Sequence, residues 1–167
     1  MTKYVKGTLL ALGLLGLSGC VSTSDIQVEK AQSEKVNLDG YKTYQFIEGS
    51  GVTQSPGKKK VNAAAAIEET INTELMKKGK VPVSKDPDFF VAYLGGSDMD
   101  AVKRRLDKDG KETIEKSPEA ALVLMLVDAD SGSIIWMSTA EGEVKNGSAE
   151  DIKKRIEFAV RKMLNGI

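Results

Sequence analysis

The chain has 167 residues, one cysteine, no histidine, and 24 basic against 24 acidic side chains. Without histidine or a second thiol, a Ser-His-Asp or Cys-His triad cannot be assembled, an intrachain disulfide is excluded, and zinc is left with carboxylates alone. The balanced charge supplies no basic face for nucleic acid and no bulk attraction to anionic lipid.

Lys3 and Lys6 form a basic tip, and the chain from there to Leu17 is almost wholly apolar or glycine. A bilayer-spanning helix needs about 20 apolar residues, so this run is too short and fits the apolar region of a secretory signal. It closes on Leu17-Ser18-Gly19-Cys20, which resembles the bacterial lipobox. The resemblance implies cleavage between Gly19 and Cys20, a diacylglyceryl thioether on the Cys20 sulfur, and acylation of the new amino terminus. Residues 1–19 are then a signal peptide, and the lone cysteine is an attachment point whose several acyl chains hold the membrane where one would not. By the same resemblance Val21, standing where an Asp would retain the chain at the inner membrane, favours the outer membrane. Cleavage removes two lysines and no acid. The mature chain of about 150 residues is slightly acidic and the size of one domain.

The stretch "VSTSDIQVEKAQSEKV" (21–36) is polar and has no sustained apolar period. It reads as a flexible tether with room for an edge strand, and as a coil it would hold the domain about 20 Å from the lipid. A single domain is expected over 37–167. Leu38 to Gly49 has the Tyr and Thr density of a strand, with Tyr44 and Phe46 on one face and Lys42 at its edge; "GSGVTQSPGKKK" is a loop. In "VNAAAAIEETINTELMKKGK", Ile67, Ile71 and Leu75 recur every fourth residue beside Ala63 and Ala64, the stripe of an amphipathic helix. Lys77, Lys78 and Gly79 are its stop signal.

"VPV" reads as a short edge strand, "KDPD" as a turn and "FFVAYL" as a buried strand. The polar stretch 97–118 fits two readings: a hairpin extension, or a short helix from Asp98 to Leu106 followed by a loop. "AALVLMLV" (120–127) has no polar residue, which suits a strand that is central or covered on both faces. "DADSGS" is a tight connection, so "IIWMSTAEGEV" runs antiparallel to it, with Ile134, Trp136, Ala140 and Val144 expected on one face. The last element is a helix capped by Ser148, with Glu150 and Asp151 in its first turn and a stripe of Ile152, Ile156, Ala159, Val160 and Met163. This order predicts an α+β fold, a mainly antiparallel sheet with two amphipathic helices packed on one face.

"YKTYQF", the helix ending in "LMKKGK", "DPDFFVAY", "LVLMLVDADSGSIIWMSTAEGEV" and the C-terminal helix together resemble domain-of-unknown-function family 4136, from about Tyr41 to the C-terminus. These are bacterial lipoproteins. The resemblance implies a fold and a compartment and supplies no activity.

The chemical candidates have plain structural readings. Asp128-Ala129-Asp130-Ser131-Gly132 invites calcium, but an EF-hand loop wants Gly sixth and Glu twelfth, where this chain has Gly132 fifth and Thr139 twelfth. A turn with Asx-type side-chain bonds explains the run. Asp86 and Asp88 are expected to cap a turn, Trp136 to pack in the core, and Lys58-Lys59-Lys60 and Lys103-Arg104-Arg105 to be solvated. No catalytic residue, cofactor or metal site is expected. The function read from this is an outer-membrane-anchored, periplasm-facing lipoprotein, a non-enzymatic binding or adaptor module with an envelope protein as partner. The alternatives are a structural or envelope-assembly lipoprotein, and a carboxylate-only hydrolase. An exposed apolar groove would favour binding, and an unbroken polar surface a structural role.

Overall fold

The computed structural model describes residues 21–33, 36–53, 62–106, 112–145 and 147–167; for 97–106 and 112–119 the description is of strand pairing alone. The signal peptide, Gly19, Cys20 and Lys58-Lys59-Lys60 lie outside the described residues. The fold is α+β: among the described residues, a seven-stranded, mostly antiparallel sheet and two α-helices.

The sheet order is β1 (Gln27–Gln32), β7 (Ile134–Glu143), β6 (Glu112–Asp128), β5 (Phe89–Leu106), β2 (Thr43–Phe46), β4 (Val81–Pro82), with β3 (Gly51–Thr53) also on β5. The pairs β1/β7, β7/β6 and β6/β5 are antiparallel, while β2, β3 and β4 add in parallel. The expected strand Leu38–Gly49 is shorter than read. Leu38–Gly40 is a 3₁₀ turn capped by Asn37, and β2 and β3 are successive pieces along one edge of β5, broken at Ile47–Ser50, where Gly49 takes φ 91°. Of the two readings of 97–118, the described residues follow the hairpin extension: Met99–Leu106 pairs with Glu112–Glu119, reaching past the last β3 and β7 partners.

Part of the expected tether belongs to the domain. Gln27–Gln32 forms β1 against β7, and Ile26 is buried with the core. The expected tether therefore ends well before residue 36.

α1 (Ala63–Lys77) buries Ala63, Ala66, Ile67, Thr70, Ile71 and Leu75, the expected stripe with Ala66 and Thr70 filling its gaps. Its end is a Schellman motif: the Lys80 N–H donates to Leu75 O (3.0 Å) and the Gly79 N–H to Met76 O (3.0 Å), with Gly79 at φ 74°. Gly79→Ala should cost about 1 kcal/mol, since a Cβ is disfavoured in that backbone conformation while nothing else crowds it; urea denaturation of the pair would read the difference. α2 (Ala149–Leu164) starts with a capping box between Ser148 and Asp151.

Both helices lie over one face. Tyr44 and Tyr93 reach from the sheet to α1, donating to Asn72 Oδ1 (2.7 Å) and Glu68 Oε1 (2.6 Å), and α2 lies over β7 and β1, with Lys162 donating to Ile26 O (3.1 Å). Beneath them Val91, Tyr93, Leu122, Leu124, Leu126, Trp136 and Ala140 are buried. Trp136 is thus in the core as expected. Ile134 is not: it is 53% exposed, because a register shift at Leu126/Val127 inserts Ile135 on the buried side. β6 is central, and among the described residues only one of its faces is covered; Val123, Met125 and Val127 remain half-buried on the other.

Candidate functional site

Three places on this scaffold carry polar or exposed groups in a defined arrangement. The first is at the N-terminal end of β5 and joins the stretches that carry the family resemblance. One Asp88 oxygen accepts from the Lys42 and Thr43 N–H groups, both at 2.7 Å, and fixes the start of β2. Those two donors hold its carboxyl below the usual range. Tyr41 donates to Asp128 Oδ2 (2.6 Å), and the Ser131 N–H donates to Asp128 Oδ1 (2.7 Å), pulling that carboxyl down to about 2. Lys80 is buried; its ammonium donates to Leu38 O and Tyr41 O, both at 2.9 Å, and sits 5.8 Å from the Phe89 ring centroid. Burial lowers its pKa. Asp86, at φ 48°, is exposed beside the turn. Asp128 to Gly132 closes the β6–β7 turn, with the Gly132 N–H on Asp128 O (2.9 Å). Asp88 and Asp128 have lowered pKa values and are bonded to groups that hold the chain in place, whereas a general base needs a pKa near the working pH. Among the described residues no three acidic, His or Cys side chains converge to hold a metal ion.

The second place is at the opposite end of the sheet. Asp25 accepts from Arg155 at 2.9 and 2.5 Å, from the Lys145 ammonium at 2.8 Å and from the Glu143 N–H at 3.0 Å. The Asp25 and Arg155 side chains are each 13% exposed. The Arg155 bonds, then that of Lys145, hold the Asp25 carboxyl well below the usual carboxylate range. Arg155 also donates to Ser22 O. Gly142 makes room for this clamp: a Cβ there would lie 3.3 Å from Asp25 Oδ2 and 3.4 Å from the Arg155 guanidinium. Sequence reading missed the clamp. Its signal was present, since Arg155 lies three residues after Ile152 and four before Ala159, on the apolar stripe of α2 where a cation needs a partner. Beside the clamp is a cavity of about 530 Å³ between the first turns of both helices and the sheet. Val52, Ile67, Leu122, Ile152 and Ile156 line it, with Glu143 and Lys145 at its rim. That is why Ile152 and Ile156, expected in the stripe, are only half-buried.

The third place is the sheet face away from the helices. Phe90 stands opposite Val127, Ala92 opposite Met125, and Leu94 opposite Val123, with Met137 next to Met125. Leu94 is 48% and Met137 37% exposed. This is a contiguous apolar surface, larger than scattered surface hydrophobics.

The sequence profile of the domain of unknown function DUF4136 matches residues 28–166. The chain belongs to the DUF4136 family. The match begins inside β1, in keeping with the place of that strand in the sheet. No curated protein matches. Among solved structures, a DUF4136 family protein from Bacteroides thetaiotaomicron is similar, with 12% identity, a TM-score of 0.54, and 83% of this chain and 93% of that one covered. A PDZ domain protein from Parabacteroides distasonis is also similar, at 18% identity and a TM-score of 0.51; the alignment covers 85% of this chain and 36% of that protein. These likenesses carry the fold. Among the described residues no helix of this DUF4136 chain is long and apolar enough to cross a membrane.

Proposed function

We propose that this DUF4136 protein is a lipid-anchored envelope protein, held at the outer membrane through Cys20, and that its periplasmic domain is a non-enzymatic module binding an envelope protein. The half-exposed apolar sheet face carries this reading: Phe90, Leu94, Val123, Met125 and Met137 on neighbouring strands form a surface that a purely structural lipoprotein has no need of. Balanced charge leaves shape and apolar contact as the source of specificity. Asp88 and Asp128 are bonded into the turn and strand ends, which weighs against a carboxylate-only hydrolase.

Two measurements test the reading. Cells given a radioactive fatty acid should label the wild-type chain and not Cys20→Ser, which should stay unprocessed or leave the membrane fraction; an unlabelled wild type contradicts the anchor. The mature Cys20→Ser chain, immobilised and challenged with solubilised envelope extract, should retain a partner saturably. Retention of nothing, together with turnover in a hydrolase screen, contradicts the binding role.

A further inference from the structure

We propose that the cavity beside the Asp25–Arg155 clamp takes one acyl chain of a phospholipid from the bilayer in which Cys20 is anchored. The inference rests on the lipoprotein reading above and assigns the protein a second, lipid-binding surface.

The chemistry of the walls comes first. Aliphatic side chains and small residues make most of the cavity, with the charged Glu141, Glu143, Lys145 and Arg155 also in its lining, and its ≈ 530 Å³ falls in the range of about 300–1,000 Å³ usual for ligand sites. Gly95 keeps its floor low, since a Cβ there would meet Leu122 Cδ1 at 3.3 Å. Ile152 and Ile156 continue the buried stripe of α2 yet stay half-exposed, so an occupant would remove apolar surface from water without displacing any protein group. The cations at the rim, Arg155 and Lys145, are bonded to Asp25. The site is therefore matched to hydrocarbon rather than to a charged ligand.

Position then selects the source. Arg155, which lines the cavity, donates to Ser22 O, and Cys20 is two residues earlier, at most about 7 Å of extended chain. A lipid on Cys20 would bring the mouth of the cavity to the membrane surface, where phospholipid chains are the abundant apolar species. Taking up one of the protein's own chains would weaken the anchor, because stable attachment needs more than one inserted chain. A neighbouring phospholipid carries no such penalty.

The test uses the full lipidated protein in vesicles of phosphatidylethanolamine and phosphatidylglycerol, doped with phosphatidylethanolamine bearing a diazirine on one acyl chain. Intact mass is read first; a chain without lipid on Cys20 removes the lipoprotein reading itself, before any irradiation. With the anchor present, irradiation should place adducts on Ala120–Leu122 or Ile152–Ala159, and these should be lost in Ala159→Phe while vesicle attachment is kept. Ala63→Phe fills the opposite wall and serves if circular dichroism shows Ala159→Phe unfolded. Adducts that survive both fillings, or that fall only outside the cavity, overturn the proposal. So does an internal crosslink from a diazirine chain carried on Cys20 in unlabelled vesicles, which would make the occupant the protein's own lipid.

Discussion

Replacing Leu124 with Asp should leave the chain unfolded, while Val123→Asp, one residue away, should fold. Leu124 is fully buried on the central strand β6, between Tyr93 of β5 and Ser138 of β7, under the helices. Removing a buried leucine costs about 2–5 kcal/mol. A carboxylate in its place adds the cost of a desolvated, unpaired charge, several kcal/mol more, or is protonated at a similar cost. Together these match the whole stability of an ordinary domain, ~5–15 kcal/mol. Val123 points to the open face and is half-buried, so its replacement leaves the charge in contact with water. Far-ultraviolet circular dichroism and a urea titration of both variants would check this. A folded Leu124→Asp, or an unfolded Val123→Asp, contradicts the assignment of faces.

The clamp predicts a pH-dependent loss. Arg155→Ala should destabilise the domain by about 2 kcal/mol, the scale of hydrogen bonds to charged groups, by removing the bidentate partner of a carboxylate that is itself largely buried. Because the Asp25 pKa is depressed in the folded state, its contribution is complete above the unfolded carboxylate value of about 3.9 and fades as pH falls below it toward the lower folded value. The stability gap between wild type and Asp25→Asn should accordingly be constant from pH 7 to about 5 and narrow below about 4. Urea midpoints at several pH values would measure it. A gap that persists unchanged down to the acid limit would mean that Asp25 is not the ionised partner of Arg155.

Local signals were legible. The Lys77-Lys78-Gly79 stop is a Schellman motif and Ser148 is a capping residue, because each depends on residues a few positions apart. The α+β class followed from periodicity alone. What escaped depends on distant pairing. Residues 21–36 lack an apolar period, and the edge strand they left room for, Gln27–Gln32, is placed by backbone bonds to β7 that side-chain pattern does not encode. Ile134 obeys the alternation of its strand but is turned outward by a bulge set across the ladder from Val127. The apolar run of β6 suited a central strand or one covered on both faces; β6 is central, and among the described residues the helices cover only one of its faces. Asp25 and Arg155 are 130 residues apart, and only the cation on an apolar stripe hinted at a partner.

The binding role stands or falls on the open sheet face. A photo-crosslinking amino acid placed in living cells at Leu94 or Met137 samples that face, and one at Lys154, whose side chain is 51% exposed on α2, samples the other side of the domain. The account predicts one discrete adduct with an envelope protein from both open-face positions and none from Lys154. Membrane-bound, folded variants that give no adduct at Leu94 or Met137, or that give one only at Lys154, would contradict it.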